Sequence, residues 1–476
     1  MNKQDVLDQH LVSSFDDPSL ARDAILRFAN SRLHYDDEHR YERNFYGRRL
    51  RPHVLKFLEF SSPADSSSIR SYSALSANRA LAAMYETDFL LLPGDSGRFV
   101  VADFAEFYDP NRRTAASIAI PFLEKFLFDF LRQEVRMSGQ WNLPKVQAYF
   151  SDYASTVRKE NTLPSAGAIA TAKEQVVAAK DWLLQLAPDF LLESSPMARY
   201  ANGSFGALGS NLFKIIIDEL GYGDFRKKHS TLFEDMLRSA GLETAPHAYW
   251  QYYLNGSLLL SNYYNMLTRD KRYFFRYVGA IYLAETGFIS ACALWRETLR
   301  SAIPTLDTRY FDEHCHIDVD HSRMAFEGLV RPAIEQYGEW AAQEVVRGFE
   351  EAKWLGRFAE DDFVAQVRWK DDAGVNKEGH DKILASVIND AEQGLIQSQT
   401  FVEPFDELSI THTHDEDELC HINSGTMEFL NGYGKSTILR QGEGIVIHRN
   451  RLHGALIQSD VCDYTIYNIK DASRWG

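Results

Sequence analysis

Cysteine is scarce: the 476-residue chain has four, Cys292, Cys315, Cys420 and Cys462, and none forms a Cys-x-x-Cys pair. That argues against a thiolate zinc site or a dithiol redox pair. A basic excess is also missing. The chain carries 51 Lys and Arg against 67 Asp and Glu, a formal net charge of −16, which argues against nucleic acid or an anionic membrane as partner. The longest apolar run, Val278 to Trp295, is interrupted by Glu285 and Thr286 and reads as too short for a membrane span. Met1 to His10 is polar, so no secretory leader is expected and the cytoplasm is the expected compartment. Nucleotide loops are lacking too. Gly221-Tyr-Gly223 has no third glycine and follows a helical segment. There is no Walker loop, Gly-x-Ser-x-Gly elbow or Cys/His catalytic pair, and no repeat of solenoid period. Electrons for any redox chemistry are therefore expected from outside.

What is present is organised in three parts. Length and composition, with 45% hydrophobic and 25% charged residues, suit about two to four soluble domains. Residues 1–135 read as a helical N-terminal region, with helical spacing over Ala21–Leu33, Ser73–Leu92 and Ile118–Val135 and a loop at Ser61–Ser68. No chemical motif stands out there, and an accessory or dimerisation role is expected. Residues 136–370 read as a helical bundle. Its segments are Lys173–Glu193, Asn211–Leu220, Leu232–Ala240, Tyr249–Leu267, Phe274–Leu299, Thr308–Tyr337 and Trp340–Phe358. Lys370–Lys382, polar and with Gly374 and Gly379, reads as a linker. After Val402 short alternating segments punctuated by glycine indicate a small all-β barrel, the core of a third part at 371–476. The expected fold class is multidomain, mainly α with a C-terminal all-β domain.

Chemistry concentrates in two places. On a helix, His314, Asp318 and His321 fall at i, i+4 and i+7, within about 60° of one another. His316 and Asp320 face away. A dinuclear iron site needs several carboxylates and imidazoles converging from different helices. Glu193 and Glu219 end apolar segments, His229 follows a Gly-broken turn, and Glu285 sits in a run otherwise almost free of charge. A lone carboxylate there is costly unless paired, protonated or metal-bound. The plainer alternatives are solvated carboxylates at 193 and 219, an arginine partner for Glu285, a structural His229 and a solvated polar stripe at 314–321.

The second place is His412-Thr-His414, with imidazoles at i and i+2 on one face of a strand, joined by Glu418 and, past a turn-rich stretch, His453. Three imidazoles from two strands can hold one iron and leave positions open. Glu418 either ligates or hydrogen-bonds to a ligand. His421 and His448 read as structural or solvent-facing. Tyr464 lies near His453 in the strand pattern but suits core packing. A metal-free barrel binding a sugar or other ligand is the alternative.

Several stretches carry a resemblance. Glu193-Ser-Ser-Pro-Met, Asp218-Glu-Leu-Gly-Tyr-Gly with Lys228-His-Ser-Thr-Leu-Phe, and Tyr310-Phe-Asp-Glu-His with Asp318-Val-Asp-His321 resemble the haem-oxygenase-like diiron oxidases. The resemblance implies Glu193, Glu219, His229, Glu285, His314, Asp318 and His321 as ligands of two irons. His412-x-His414-x3-Glu418-x6-Gly425 and the spacing from Gly442 to His453 resemble the two cupin motifs. Asp406, His448, Asn450 and Ile457 depart from the motif's usual glycine, proline, glycine and asparagine. These departures bear on loop shape rather than on metal binding.

The fusion resembles the N-nitrosourea-forming enzymes of streptozotocin biosynthesis. Shared stretches are Trp250-Gln-Tyr-Tyr-Leu-Asn, Phe274-Phe-Arg-Tyr-Val-Gly-Ala, Asp417-Glu-Leu-Cys-His-Ile and Arg449-Asn-Arg-Leu-His-Gly-Ala. It implies a haem-oxygenase-like bundle plus a cupin barrel, holding two Fe(II) and one Fe(II), with O2 as co-substrate and an external reductant. The implied substrate is a small guanidine, Nω-methyl-L-arginine. The bundle would hydroxylate Nδ and the unmethylated terminal nitrogen. The cupin, holding its iron on His412, His414 and His453, would rearrange the product to an N-nitroso compound. A homodimer through the N-terminal region is also implied. Two alternatives stay open: a diiron N-oxygenase of another arginine-like amine whose cupin performs a different oxidation, and a metal-binding sensor or storage protein.

Overall fold

A computed structural model describes residues 18–35, 44–60, 62–94, 99–203 and 206–474. Met1 to His10 and Ser61 lie outside the described residues. The rest of the serine-rich stretch runs through bends and turns, as its composition predicts.

The longer helices are α1 (Pro18–Ala29), α2 (Tyr72–Glu86), α3 (Pro110–Phe128), α4 (Leu143–Val157), α5 (Gln175–Phe190) and α6 (Ala207–Glu219). They continue with α7 (His229–Ser239), α8 (Asn255–Arg269), α9 (Phe274–Ala302), α10 (Arg309–Ala325), α11 (Arg331–Asp371) and α12 (Ala373–Glu392). One continuous cluster of buried side chains runs from Ala24 and Phe28 in α1 to Phe363 and Val367 in α11. The bundle is built around α9, which packs on α10 and α11. A Cβ on Gly279 would lie 1.8 Å from Val345 O, and one on Gly348 would lie 1.9 Å from Arg276 O. Only glycine at both positions lets the backbones of α9 and α11 approach so closely. The Arg276–Glu344 ion pair, at 2.5 Å, spans the same crossing.

Two expectations are corrected here. The apolar run read as too short to span a membrane belongs to a helix of 32 residues, Lys271–Ala302, which is long and apolar enough to cross one. Glu285 and Thr286 are buried within it, and the helical segment expected over Phe274–Leu299 is found as α9. The stretch read as a linker is helical: α11 continues to Asp371 and α12 follows at once. The buried stripe of α12 is Ala373, Asn376, His380, Ile383 and Val387. Its spacing is helical, but two of its five members are polar, so hydrophobic periodicity does not reveal it. By contrast, the break between the segments ending at Tyr337 and starting at Trp340 falls on Gly338, whose φ is +74°.

The C-terminal part is all-β, as expected: two four-stranded antiparallel sheets, cupin-like in arrangement. The strands are β1 (Ser398–Pro404), β2 (Leu408–His412), β3 (Asp417–Ser424), β4 (Thr426–Leu430), β5 (Ser436–Arg440), β6 (Gly444–Ile447), β7 (His453–Ile457) and β8 (Val461–Lys470). Their orders are β1-β8-β3-β6 and β2-β7-β4-β5. Trp369 of α11 joins Ile422, Met427, Phe429, Leu439 and Ile445 in the barrel core. On the outside, Ile383 and Val387 of α12 cover Leu419, Val446 and Ile469. Helix α2 is wedged between bundle and barrel. Asn78 donates to Asn255 (2.5 Å) on α8, and Arg79 donates to the Thr411 carbonyl (2.8 Å) on β2.

Candidate metal centres

The buried stripe of α10 is Tyr310, Phe311, His314, Asp318, His321 and Ala325. The polar triplet is thus part of the face turned into the bundle, while His316 and Asp320 are exposed. Glu285 arrives from α9, Glu219 from the last turn of α6 and His229 from the first turn of α7. Glu193 comes from just beyond α5, where Ser194 turns the chain with φ of +66°.

These groups form two overlapping clusters. Ligand atoms of Glu193, Glu219, His229 and His314 lie within 4.8 Å of one another, and so do those of Glu219, Glu285 and His321. Glu219 belongs to both. His321 Nδ1 is 3.3 Å from Glu219 Oε1 and 3.2 Å from Glu285 Oε2. Asp318 lies between the clusters, its Oδ1 3.3 Å from His314 Nδ1 and 3.8 Å from His321 Nδ1.

The donor set fits a pair of cations. Among the described residues, Glu193 Oε2, Glu219 Oε2, His229 Nδ1, His314 Nε2, Asp318 Oδ2 and His321 Nδ1 are buried without a hydrogen-bond partner. His229 Nδ1 and Glu219 Oε2 approach to 2.7 Å but lack hydrogen-bond geometry. Lone pairs crowded together in this way are stabilised by a shared cation. Without one, the imidazoles take the positive charge. Burial opposes it, yet the Glu219 and Glu285 carboxylates push His321 up to about 11. Burial pushes Glu285 up to about 7 against the pull of His321. Glu219 is held well below its usual range, because His229, His321 and His314 outweigh the burial that would raise it.

Sequence reasoning missed two supporting groups. Asp218 Oδ2 lies 3.3 Å from His321 Nε2, and the Tyr310 hydroxyl donates to Glu193 Oε1 at 3.0 Å. A carboxylate on the far nitrogen of a ligating imidazole fixes its tautomer and orientation. Asp218 was discoverable as the neighbour of Glu219. A cavity of about 640 Å³ opens onto Glu193, Glu219, Glu285 and His314 and is walled by Trp182 and Phe288. Its size suits a small-molecule ligand. Asp189, also missed, lines the same cavity.

In the barrel, His412 and His453 are direct cross-strand partners on β2 and β7. β2 ends at His412, so His414 lies just past the strand rather than within it. The i, i+2 relation nonetheless brings the rings together, with His412 Nε2 and His414 Nε2 3.1 Å apart. The ligand atoms of all three histidines lie within 4.8 Å of one another. His412 Nδ1 and His453 Nδ1 donate to the carbonyls of Ile410 (2.8 Å) and Arg451 (2.9 Å). A carbonyl only accepts, so each Nδ1 carries the proton and each Nε2 presents its lone pair inward. Burial, then His453 and Arg51, push His414 down to about 3; burial pushes His453 down to about 4. Glu418 Oε2 is 3.2 Å from His414 Nε2, and burial pushes its carboxyl up to about 8. It sits at the edge of the triad.

The departures from the cupin motif leave the turns intact. Asp406 has φ of +67° and Asn450 of +61°. Aspartate and asparagine are the non-glycine residues that best tolerate this left-handed region. His448 is half exposed, His421 hydrogen-bonds to His380 at 3.0 Å, and Tyr464 stacks on Phe401. None of the three joins the triad.

The N-terminal region reaches this site, which its sequence did not indicate. The Tyr72 ring lies 5.6 Å from His412, Arg51 donates to the Tyr72 hydroxyl at 3.1 Å, and Tyr72 N–H donates to Asp415 at 2.9 Å.

Comparison with known proteins bears on the helical part and on the chain as a whole. A family model described as an iron-containing redox enzyme matches residues 180–357. That span holds every one of the helical cluster residues. The chain is 42% identical over 454 residues to a nitrosourea synthase of Streptomyces achromogenes subsp. streptozoticus, covering 94% of this chain and 95% of that protein.

Proposed function

Since the chain belongs to the nitrosourea synthase family and is an iron-dependent redox enzyme, we propose that it makes an N-nitrosourea from Nω-methyl-L-arginine, using O2 and electrons from an external donor. The observation that carries this reading is the coexistence of a double cluster sharing Glu219 and a separate three-histidine cluster in one chain.

Fe(II) bound at both places would supply O2 activation, the helical pair for hydroxylating Nδ and the unmethylated terminal nitrogen and the barrel ion for the oxidative rearrangement. Glu193, His229 and His314 would hold one helical position, Glu285 and His321 the other, with Glu219 shared and Asp318 between them. Asp218 orients His321, and Tyr310 orients Glu193. His412, His414 and His453 would hold the barrel ion, with Glu418 beside His414. A guanidinium suits the carboxylate-rich cavity, because carboxylates accept paired N–H donors in a fixed fork.

The same reading divides the chain at 1–135, 136–370 and 371–476. It makes the protein a homodimer through the N-terminal region, a role supported by exposed Leu90, Leu92 and Val101. It also places the enzyme in the cytoplasm, supported by four free thiols. An aerobic reaction with ferrous iron, a reductant and Nω-methyl-L-arginine, read by mass spectrometry, tests it. The expected product carries an N–N=O group. A product that is only N-hydroxylated would contradict the assignment of the barrel.

A further inference from the structure

The cavity beside the helical centre contains a carboxylate that neither cluster uses. Asp189 sits on the last turn of α5, four residues before Glu193, and lines the cavity. Among the described residues its carboxyl makes no hydrogen bond or ion pair; the Tyr264 and Tyr277 hydroxyls lie close enough to feel its charge, and its charged neighbour is another acid, Glu193. Burial, with the Glu193 charge adding to it, pushes Asp189 up to about 7. A carboxylate so placed is costly to ionise unless a cation joins it.

The protein's own cations around this cavity are elsewhere. Lys353 pairs with Glu350 at 3.2 Å, and Arg357 is exposed at the rim, beside exposed Glu160 and Asp361. The lining is therefore acidic overall: Glu160, Glu360 and Asp361 join Asp189 and the cluster carboxylates, against Lys353 and Arg357. Trp182, Phe190 and Phe288 supply apolar wall between. The missing partner of Asp189 is a cation small enough to fit a cavity of about 640 Å³.

We propose that Asp189 binds the guanidinium of the substrate, accepting paired N–H donors and holding the group against the Glu193 side of the helical centre. This rests on the arginine-like substrate proposed above. The bidentate fit of a planar guanidinium on a carboxylate supplies orientation as well as affinity. Asp189 would thus be a specificity residue that favours a guanidinium over neutral ureas of the same shape, since only the cation pairs with its ionised carboxylate.

Equilibrium binding to the iron-loaded full-length protein without O2 tests this, with Nω-methyl-L-arginine and the neutral urea L-citrulline as the two probes. The wild type is expected to prefer the guanidine. Asp189→Asn is expected to lose roughly tenfold to hundredfold of guanidine affinity, to lose the preference over citrulline and to keep its iron. Asp189→Glu is expected to recover part of the preference. If Asp189→Asn binds the guanidine as the wild type does, or weakens only because iron is lost with it, the assignment is overturned while the substrate reading stands. A wild type that binds neither probe would overturn both.

Discussion

The two candidate centres solve the same problem with opposite electrostatics. The helical one surrounds its imidazoles with carboxylates, so that in the absence of a cation His321 is pushed up to about 11 and His314 well above its usual value. The barrel one crowds imidazoles together beside Arg51, and burial with mutual repulsion holds His412 and His414 far below theirs. Four carboxylates, Glu193, Glu219, Glu285 and Asp318, can neutralise two divalent ions. Three neutral imidazoles leave a single ion with its full charge. A charge-neutral pair suits an O2-reducing centre fed by electrons. A more electropositive single ion suits binding an oxidised, electron-rich intermediate.

The sharpest way to break that contrast is to remove the shared carboxylate. Glu219→Ala is expected to abolish N-hydroxylation and reduce iron from about three atoms per chain to about one, as measured by metal analysis and product mass spectrometry. Loss of the barrel iron as well would show that the centres are not independent.

His453→Ala should do the reverse. Substrate consumption should continue, the dihydroxylated guanidine should accumulate, and N-nitroso product should fall by at least about a hundredfold. Full N-nitroso formation by this variant would erase the division of labour.

Protons offer a gentler test. His321, pushed up to about 11, is charged at pH 7 and must shed its proton to ligate, so iron binding at the helical centre releases protons and weakens by about tenfold per pH unit for each proton displaced as pH falls. His414 and His453, pushed down to about 3 and about 4, are already neutral, so the barrel imidazoles release no proton on binding iron and at most one proton leaves this site, from Glu418, which burial pushes up to about 8. Calorimetry in buffers of different ionisation enthalpy, on Glu219→Ala and His453→Ala proteins, reads each centre alone.

The smallest effect concerns the N-terminal contact. Tyr72→Phe deletes the hydroxyl that accepts from Arg51. A lost bond of about 1 kcal/mol predicts roughly a fivefold slower barrel step, with N-hydroxylation unchanged. An equal loss in both steps would mean that Tyr72 supports the fold rather than the barrel site.

How far these sites were legible in the sequence depends on the kind of signal each residue leaves. His314, Asp318 and His321 declared themselves because helical periodicity fixes their common face, and His412 and His414 because strand periodicity does. Glu285 was visible as one charge in an apolar helix. Asp189 and Asp218 were not, since a carboxylate near a helix end is most often solvated. Arg51 and Tyr72 reach His412 from positions 51 and 72, a separation along the chain that no local pattern encodes. Helix α12 was misread because its buried stripe includes Asn376 and His380, which satisfy partners instead of adding hydrophobicity. The apolar run around Glu285 was rightly read as helical, and only its length was underestimated, because the helix Lys271–Ala302 extends past Val278–Trp295 at both ends.

Anomalous scattering at the iron edge, from crystals reconstituted with ferrous iron, tests the central claim most directly. Two peaks flanking Glu219 and one among His412, His414 and His453 are predicted. A single peak in the helical region, or none beside the three histidines, would contradict it.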